Sequence, residues 1–597
     1  MKTLKNIFLI FTIFLLSNSC TEEFLKPEPL SFFSPENVYV DAAGFDALLI
    51  TMRKDLKKEN YAYNNFFMLE FSASDLASPW SQLDFYKLTP SNSRYYHYLR
   101  MFRYVYGFIK NTNVLISRID DIEWDSDEEK NSRLAQALFY RSYWYYRLVH
   151  TYGDVPFLGE EITSPKLDFA THSRSAILNK IKTDMEFAAK WLPESANSGE
   201  VTRGAANHLL TKIYLANLEF DKAISAASSV INGPYALMTD RFGSWKDDPN
   251  RNVIWDLHRP ENMNLSENTE TILASIDRYE APDNAKTSGL YTTRIYGPAW
   301  HHSTVKDSEG KAGMVAKLNG KNTAMYDSLG RGNANVRFTY FYQYNLWESD
   351  GYSWKTTPDL RRSDINWVDL DEYLYNNPES VDFGKPVNLD YLPAQLDTFH
   401  KMYAVPQYIL FNPMGNPDTR PVGGNGDWAV FRLGDTYLLR AEAYYWKGQM
   451  GKAAEDINKV RARAHAPLVN SGDVTIDYIL DERARELMAE SPRHSELVRV
   501  SYILAERNER GYTLEGFSEK NYYYDLVKKH NPIFDPNYSP RPTLLGNESR
   551  MAAFHVLWPI PDDVILENTM GIINQNKGYV GAENNVPPLE SVEPPAE

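Results

Sequence analysis

The chain has 597 residues, of which 43% are hydrophobic and 24% charged, and a formal net charge of −16; this balance describes a folded globular body. A surface that acidic gains nothing from neutralising phosphates, which excludes nucleic acid as a partner. Aromatic residues make up 14% of the chain, with 40 Tyr and 13 Trp, more than core filling requires, so some rings are expected to face a ligand.

The first element is a leader. Lys2 and Lys5 give a positive start, residues 7–16 form a short apolar core, and Ser17, Asn18 and Ser19 are small enough for a peptidase to cut beside them. Cys20, the one cysteine in the chain, follows at once. A run that short cannot cross a bilayer as a helix. Residues 1–19 therefore read as a lipoprotein signal peptide and Cys20 as the acylated mature terminus. Each buried methylene of an acyl chain contributes about 0.8 kcal/mol, enough in sum to hold a large soluble body at a membrane. With Cys20 used in this way no disulfide is possible, so stability has to come from packing. Residues 20–40, with Pro27 and Pro29, read as a lipidated tether.

Helical periodicity begins at residue 41. Phe45, Leu48, Leu49, Met52 and Leu56 recur at three- and four-residue intervals over 41–58, and the pattern continues over 94–119 and 133–149. Gly153, Asp154, Val155 and Pro156 then stop the third helix. Two later segments repeat one another at a constant offset: Tyr214 aligns with Tyr444, Lys222 and Ala223 with Lys452 and Ala453, and Val230 with Val460. Each reads as a helical hairpin of tetratricopeptide type, in which Ala223 and Ala453 allow close approach of the paired helices.

Between the hairpins, over about 240–426, periodicity weakens and Gly, Pro, Asn, Asp and aromatics accumulate. A stretch that long without strong periodicity reads as a loop-rich insertion on a helical scaffold (41–239 and 427–510), and as the place where ligand binds. Its candidate contacts are Tyr291, Tyr296, Trp300, Trp347, Tyr352 and Trp354, joined by Trp80 from a turn-like segment after Asp75. A second helical block is expected from Trp428 through Arg463 and over 476–490, with Ser491 and Pro492 as the N-cap and first position of the next helix. The charges of 481–499, with Glu482, Arg485, Arg493, Glu496 and Arg499, read as an ion-pair network joining helices.

Signals for catalysis, metal or cofactor are poor. His301 and His302 are adjacent and cannot share a helix face, and the glycines at 423, 424 and 426 lack the Lys and Ser or Thr of a phosphate loop and read as a flexible turn. Asp369 and Asp371 begin like a calcium loop without its glycine. No cofactor, metal site or catalytic residue is assigned.

The order and content of these motifs resemble the SusD/RagB family of outer-membrane nutrient-binding lipoproteins. The resemblance rests on the leader with Cys20 and on residues 137–147 leading into Tyr152, Gly153, Asp154, Val155 and Pro156. It continues with Arg432, Asp435, Leu438, Ala441, Glu442 and Ala443, and with Glu482, Arg483, Glu486, Leu487, Glu490, Arg493, Glu496, Leu497 and Arg499. It closes on Trp558, Pro559, Ile560 and Pro561 and on Asn574, Gln575, Asn576, Gly578 and Tyr579. Ser17 in the leader and Lys577 in the closing segment depart from the family pattern. The resemblance covers essentially the whole chain. It implies a mostly α fold of tetratricopeptide-like hairpins in one large domain (41–597), with a closing segment at 511–597. It also implies lipid anchoring at the cell surface, with Glu22 and Glu23 similar to an acidic export signal, and capture of poly- or oligosaccharide for a TonB-dependent SusC-like transporter. Sugar recognition has its own physical sense, because the C–H face of a sugar ring packs on an indole or phenol face while polar side chains meet its hydroxyls. A peptide-binding member of the family, a secreted helical glycoside hydrolase and a protein-binding scaffold are the alternatives.

Overall fold

A computed structural model describes residues 38–592, apart from 80–84, 86, 87, 93–95, 393–400, 417 and 532–550. The leader, Cys20 and the tether to residue 37 lie outside the described residues, as does Trp80.

The long helices are α1 (Ala42–Leu56), α2 (Tyr96–Arg118), α3 (Asp127–Tyr152), α4 (Arg174–Trp191), α5 (Arg203–Ala216), α6 (Phe220–Ile231), α7 (Leu433–Trp446), α8 (Met450–Arg463), α9 (Ile476–Glu486), α10 (Arg493–Glu506) and α11 (Tyr522–His530); all but α4 and α11 fall on segments expected from the sequence. Their ends are chemically marked. Asp41, Ser126, Ser173, Thr202, Thr475 and Asn521 each accept a backbone N–H of the first turn. Asp127, Glu128 and Glu129 complement the dipole at the start of α3, and Gly153 at φ 69° ends that helix.

Consecutive helices pack as hairpins: α3 on α4, α5 on α6 and α7 on α8. The two repeated hairpins are stacked directly, α6 lying on α7. Ala223 and Ala453 are fully buried where the paired helices meet, as their small side chains require. The Tyr214 hydroxyl donates to Glu186 at 2.8 Å, tying the first hairpin to α4. One hydrophobic cluster runs from Phe45 through Ile573, so the first and last helical segments share a core.

Several boundaries differ from the sequence expectation: α3 begins at Asp127 rather than 133, and α9 ends at Glu486 rather than 490. Trp428–Arg432 is a strand, paired antiparallel with Thr271–Ser275; its partner lies far upstream, beyond the reach of a local pattern. Helix α10 starts at Arg493 with Pro492 as its N-cap, one residue later than expected, and the Ser491 hydroxyl accepts from Arg483. The segment 240–426 carries short strands and helices. It divides between the main core, which takes Tyr342, Trp347 and Trp367, and a satellite core around Trp300, Tyr326, Tyr373 and Met402.

The charged signature is a buried lattice. Arg432 Nη1 meets Glu270 and Glu486 at 2.6 Å each and its Nη2 meets Glu490 at 2.6 Å. Arg361 reaches Asp359, Glu482 and Glu486 at 2.7, 2.8 and 3.1 Å, and Arg499 forks onto Glu442 at 2.6 and 2.7 Å. Charges this deep persist only when paired on all sides. Asp75, in the bend that follows the helix Phe66–Ser72, is fully buried and held by Arg493 at 2.8 Å and His530 at 3.1 Å.

Candidate functional site

The sequence-predicted aromatic residues separate into two populations. Tyr296, Trp300 and Trp347 are 3%, 0% and 2% exposed, so these three rings fill cores and are not surface platforms. Trp300 Nε1 donates to the Gly330 carbonyl at 3.1 Å and Trp347 Nε1 to that of Tyr342 at 2.7 Å. An indole has one N–H, and in both it is spent on backbone, which is how a buried Trp is satisfied. Tyr296 stacks on Phe338 with ring centroids 6.2 Å apart.

Tyr352, Trp354 and Tyr291 reach the surface, in two places. The first is an aromatic ledge. Tyr340 is 63% exposed and Tyr352 43%. Tyr340 sits one helical turn before Tyr344, their rings 4.8 Å apart, and Tyr344 continues to Trp354 at 5.0 Å. Trp354 is half-buried because the Arg362 guanidinium lies between it and Trp367, 4.6 and 4.2 Å from the two rings. Arg362 is itself locked by Asp369 at 2.7 and 3.0 Å. The ledge is therefore held from beneath by a paired cation, while Lys355 Nζ stands 4.9 Å from the indole. Burial with Asp369 nearby pushes the Tyr344 phenol up to about 12, so it remains a hydrogen-bond donor at any physiological pH.

The second is a cleft of about 330 Å³ between Tyr63 and Tyr291. Tyr291 has φ 54°, a left-handed conformation costly for a bulky side chain, of order 1–3 kcal/mol. The backbone around Gly423 and Gly424 holds it there: Leu290 N–H donates to the Gly424 carbonyl at 2.9 Å and Tyr291 N–H to that of Gly423 at 3.2 Å. A Cβ on Gly423 would lie 2.7 Å from Thr292 N, so only glycine permits the approach. The glycine run is accordingly a packed clamp and not the flexible turn expected from its composition. Opposite, Ala62 N–H donates to the Gly289 carbonyl at 2.9 Å and brings Tyr63 edge-on to Tyr291 with centroids 6.2 Å apart.

Neither place holds a cluster of His, Cys, Asp and Glu able to bind a metal, and none occurs among the described residues.

Two family models together match most of the chain: the SusD family over residues 336–579, and "starch-binding associating with outer membrane" over residues 33–215. The chain belongs to the SusD/RagB family. It is 24% identical over 524 residues to the SusD-like protein P25 of Formosa agariphila, covering 83% of this chain and 89% of that one. Over a shorter stretch of 112 residues it is 35% identical to the starch-binding protein SusD of Bacteroides thetaiotaomicron, which is 18% of this chain and 20% of that one. The fold is similar to that of a laminarin-binding SusD-like protein, with TM-score 0.57, 18% identity and coverage of 91% of this chain and 100% of the other. It is also similar to the surface glycan-binding protein A of Bacteroides thetaiotaomicron in complex with laminarihexaose, with TM-score 0.60, 16% identity and coverage of 90% and 99%.

Within this SusD/RagB fold, sequence reasoning missed Tyr340 and Tyr63. Tyr340 was legible in principle, because its four-residue spacing from Tyr344 puts both on one helix face. Tyr63 was not, since it lies outside the insertion and meets Tyr291 only through folding.

Proposed function

We propose that this SusD/RagB protein is a cell-surface lipoprotein that captures poly- or oligosaccharide and passes it to a TonB-dependent SusC-like transporter in the outer membrane. The observation that carries this reading is the aromatic ledge: exposed Tyr340 running through Tyr344 to Trp354, with the Arg362–Asp369 pair against the Trp354 ring, and Tyr352 exposed two residues before Trp354 in the chain. Rigid flat rings suit the C–H faces of pyranoses, and pre-organisation lowers the entropic cost of binding. The family description that links starch binding to the outer membrane, and the likeness to a protein in complex with laminarihexaose, support the same ligand class. Cys20 would carry the lipid, the tether would set the distance from the membrane, and the helical hairpins would face the transporter. Capture needs no bond making, so Tyr340, Tyr352 and Trp354 act by stacking alone.

The test is affinity electrophoresis of the mature chain in detergent, in native gels containing laminarin, starch or other polysaccharides. Retardation in at least one gel is expected, weakened by Tyr340→Ala and by Trp354→Ala. Unretarded migration in all of them overturns the reading, and release of reducing ends from a bound glycan replaces it with a hydrolase. Mass spectrometry of the mature terminus checks the anchor, which fails if Cys20 is found unmodified.

A further inference from the structure

The Tyr63–Tyr291 cleft differs from the ledge in its charge. Lys58 lines it from just past the end of α1, half-buried, its Nζ 5.1 Å from the Tyr104 ring and 5.9 Å from the Phe66 ring. No carboxylate pairs with Lys58 among the described residues, and no Asp or Glu is among the described residues that line the cleft. In a chain with 79 acidic residues against 63 basic ones, such a lining is not what the average surface supplies. Other cations of this protein are met by carboxylates, as Arg362 is by Asp369 and Arg147 by Glu59, or, like Arg259, by backbone carbonyls. Behind Tyr63 the Arg294 guanidinium lies 5.6 Å from the ring, and its Nη1 is buried without a hydrogen-bond partner among the described residues. Burial, with Arg100 nearby, lowers the proton affinity of Lys58, as expected of a cation that lacks a counter-charge.

We propose that this cleft takes an acidic sugar, with the ring against Tyr63 and Tyr291 and its anionic substituent on Lys58. The inference rests on the glycan-capture reading and narrows its ligand class to glycans bearing a carboxylate or a sulfate ester. An anion held beside a half-buried ammonium is screened less than one at an open surface, yet its encounter remains sensitive to salt. The strained Tyr291 backbone and its glycine clamp are then the device that presents the stacking ring to the charge.

The mature chain in detergent is titrated calorimetrically with polygalacturonate (carboxylate), carrageenan (sulfate ester) and laminarin (neutral), at low and at high salt. At least one of the two acidic polymers should bind, with an affinity that falls several-fold on raising salt. Which one binds identifies the anionic group. Lys58→Met should weaken that binding about tenfold while leaving the melting temperature and any laminarin binding unchanged, and Lys58→Arg should retain most of it. Binding of laminarin alone, salt-independent binding of the acidic polymers, or acidic binding unaltered by Lys58→Met each overturns this inference and leaves glycan capture standing. Binding of none of the three, together with unretarded migration in every polysaccharide gel, overturns both.

Discussion

The helical scaffold and the loop-rich segment handle side chains in opposite ways. In the scaffold the residues that look most functional, the Glu and Arg series of 482–499 with Arg432, are buried in one another's company, joined by Glu270 from the loop segment, and make the molecule rather than its site. In the loop segment the residues that look alike, its Trp and Tyr, are split between cores and surface. Charge signatures can be architectural, and aromatic richness locates a binding region without saying which rings bind.

The sharpest way to break the comparison is in the charge lattice. Arg432→Met would leave Glu490 buried without its Arg partner, while Glu270 and Glu486 keep Arg463, and should cost about 3 kcal/mol of stability; chemical denaturation that moved by less than about 1 kcal/mol would mean this part of the lattice is dispensable. A similar loss, about 3 kcal/mol, is expected for Trp347→Ala through the cavity it opens, together with normal glycan binding by whatever protein remains folded. Loss of binding without loss of stability would return Trp347 to the site.

Acid should probe the same lattice. Burial disfavours the Glu482 carboxylate, but Arg361, Arg461 and Arg485 outweigh it and hold the group down at about 2 against an ordinary 4.5. A depressed carboxyl stabilises the fold above its unfolded value, and that contribution is lost as pH falls from 4.5 through about 2. Glu490 runs the other way: burial, with Glu486 and Glu270 close by, raises it to about 7 despite Arg432. Its contribution is present below 4.5 and lost as pH rises through 7. Melting temperatures measured across pH 3–8 should therefore fall at both ends, and Glu490→Gln should flatten the upper limb only. The smallest effect on stability belongs to Tyr340→Ala, within about 0.5 kcal/mol for an exposed side chain, while glycan affinity should fall about tenfold; unchanged affinity would remove the ledge from the site.

Much of the scaffold was legible without coordinates. The apolar spacing of residues 41–58 gave α1 to within two residues at its end, the Gly153–Pro156 stop ended α3 where it is observed, and the constant offset between Tyr214 and Tyr444, Val230 and Val460 located both stacked hairpins. Such features depend on contacts between residues three or four apart, or on a pattern written twice, which a linear string carries. The strand at Trp428–Arg432 depends on Thr271–Ser275 and left no local trace.

By itself the sequence determined the helical class, the repeated hairpins, the charge pairing within 481–499 and the family resemblance, because each is written in short-range periodicity or in motif order. Only the tertiary structure decided that Trp300 and Trp347 are core while Tyr340 and Tyr352 are open to solvent, and that Tyr63 faces Tyr291 across a cleft edged by Lys58. Burial and convergence of that kind arise from segments distant in sequence meeting in space, and an indole spent on a backbone carbonyl is written with the same letter as one left to stack on a sugar.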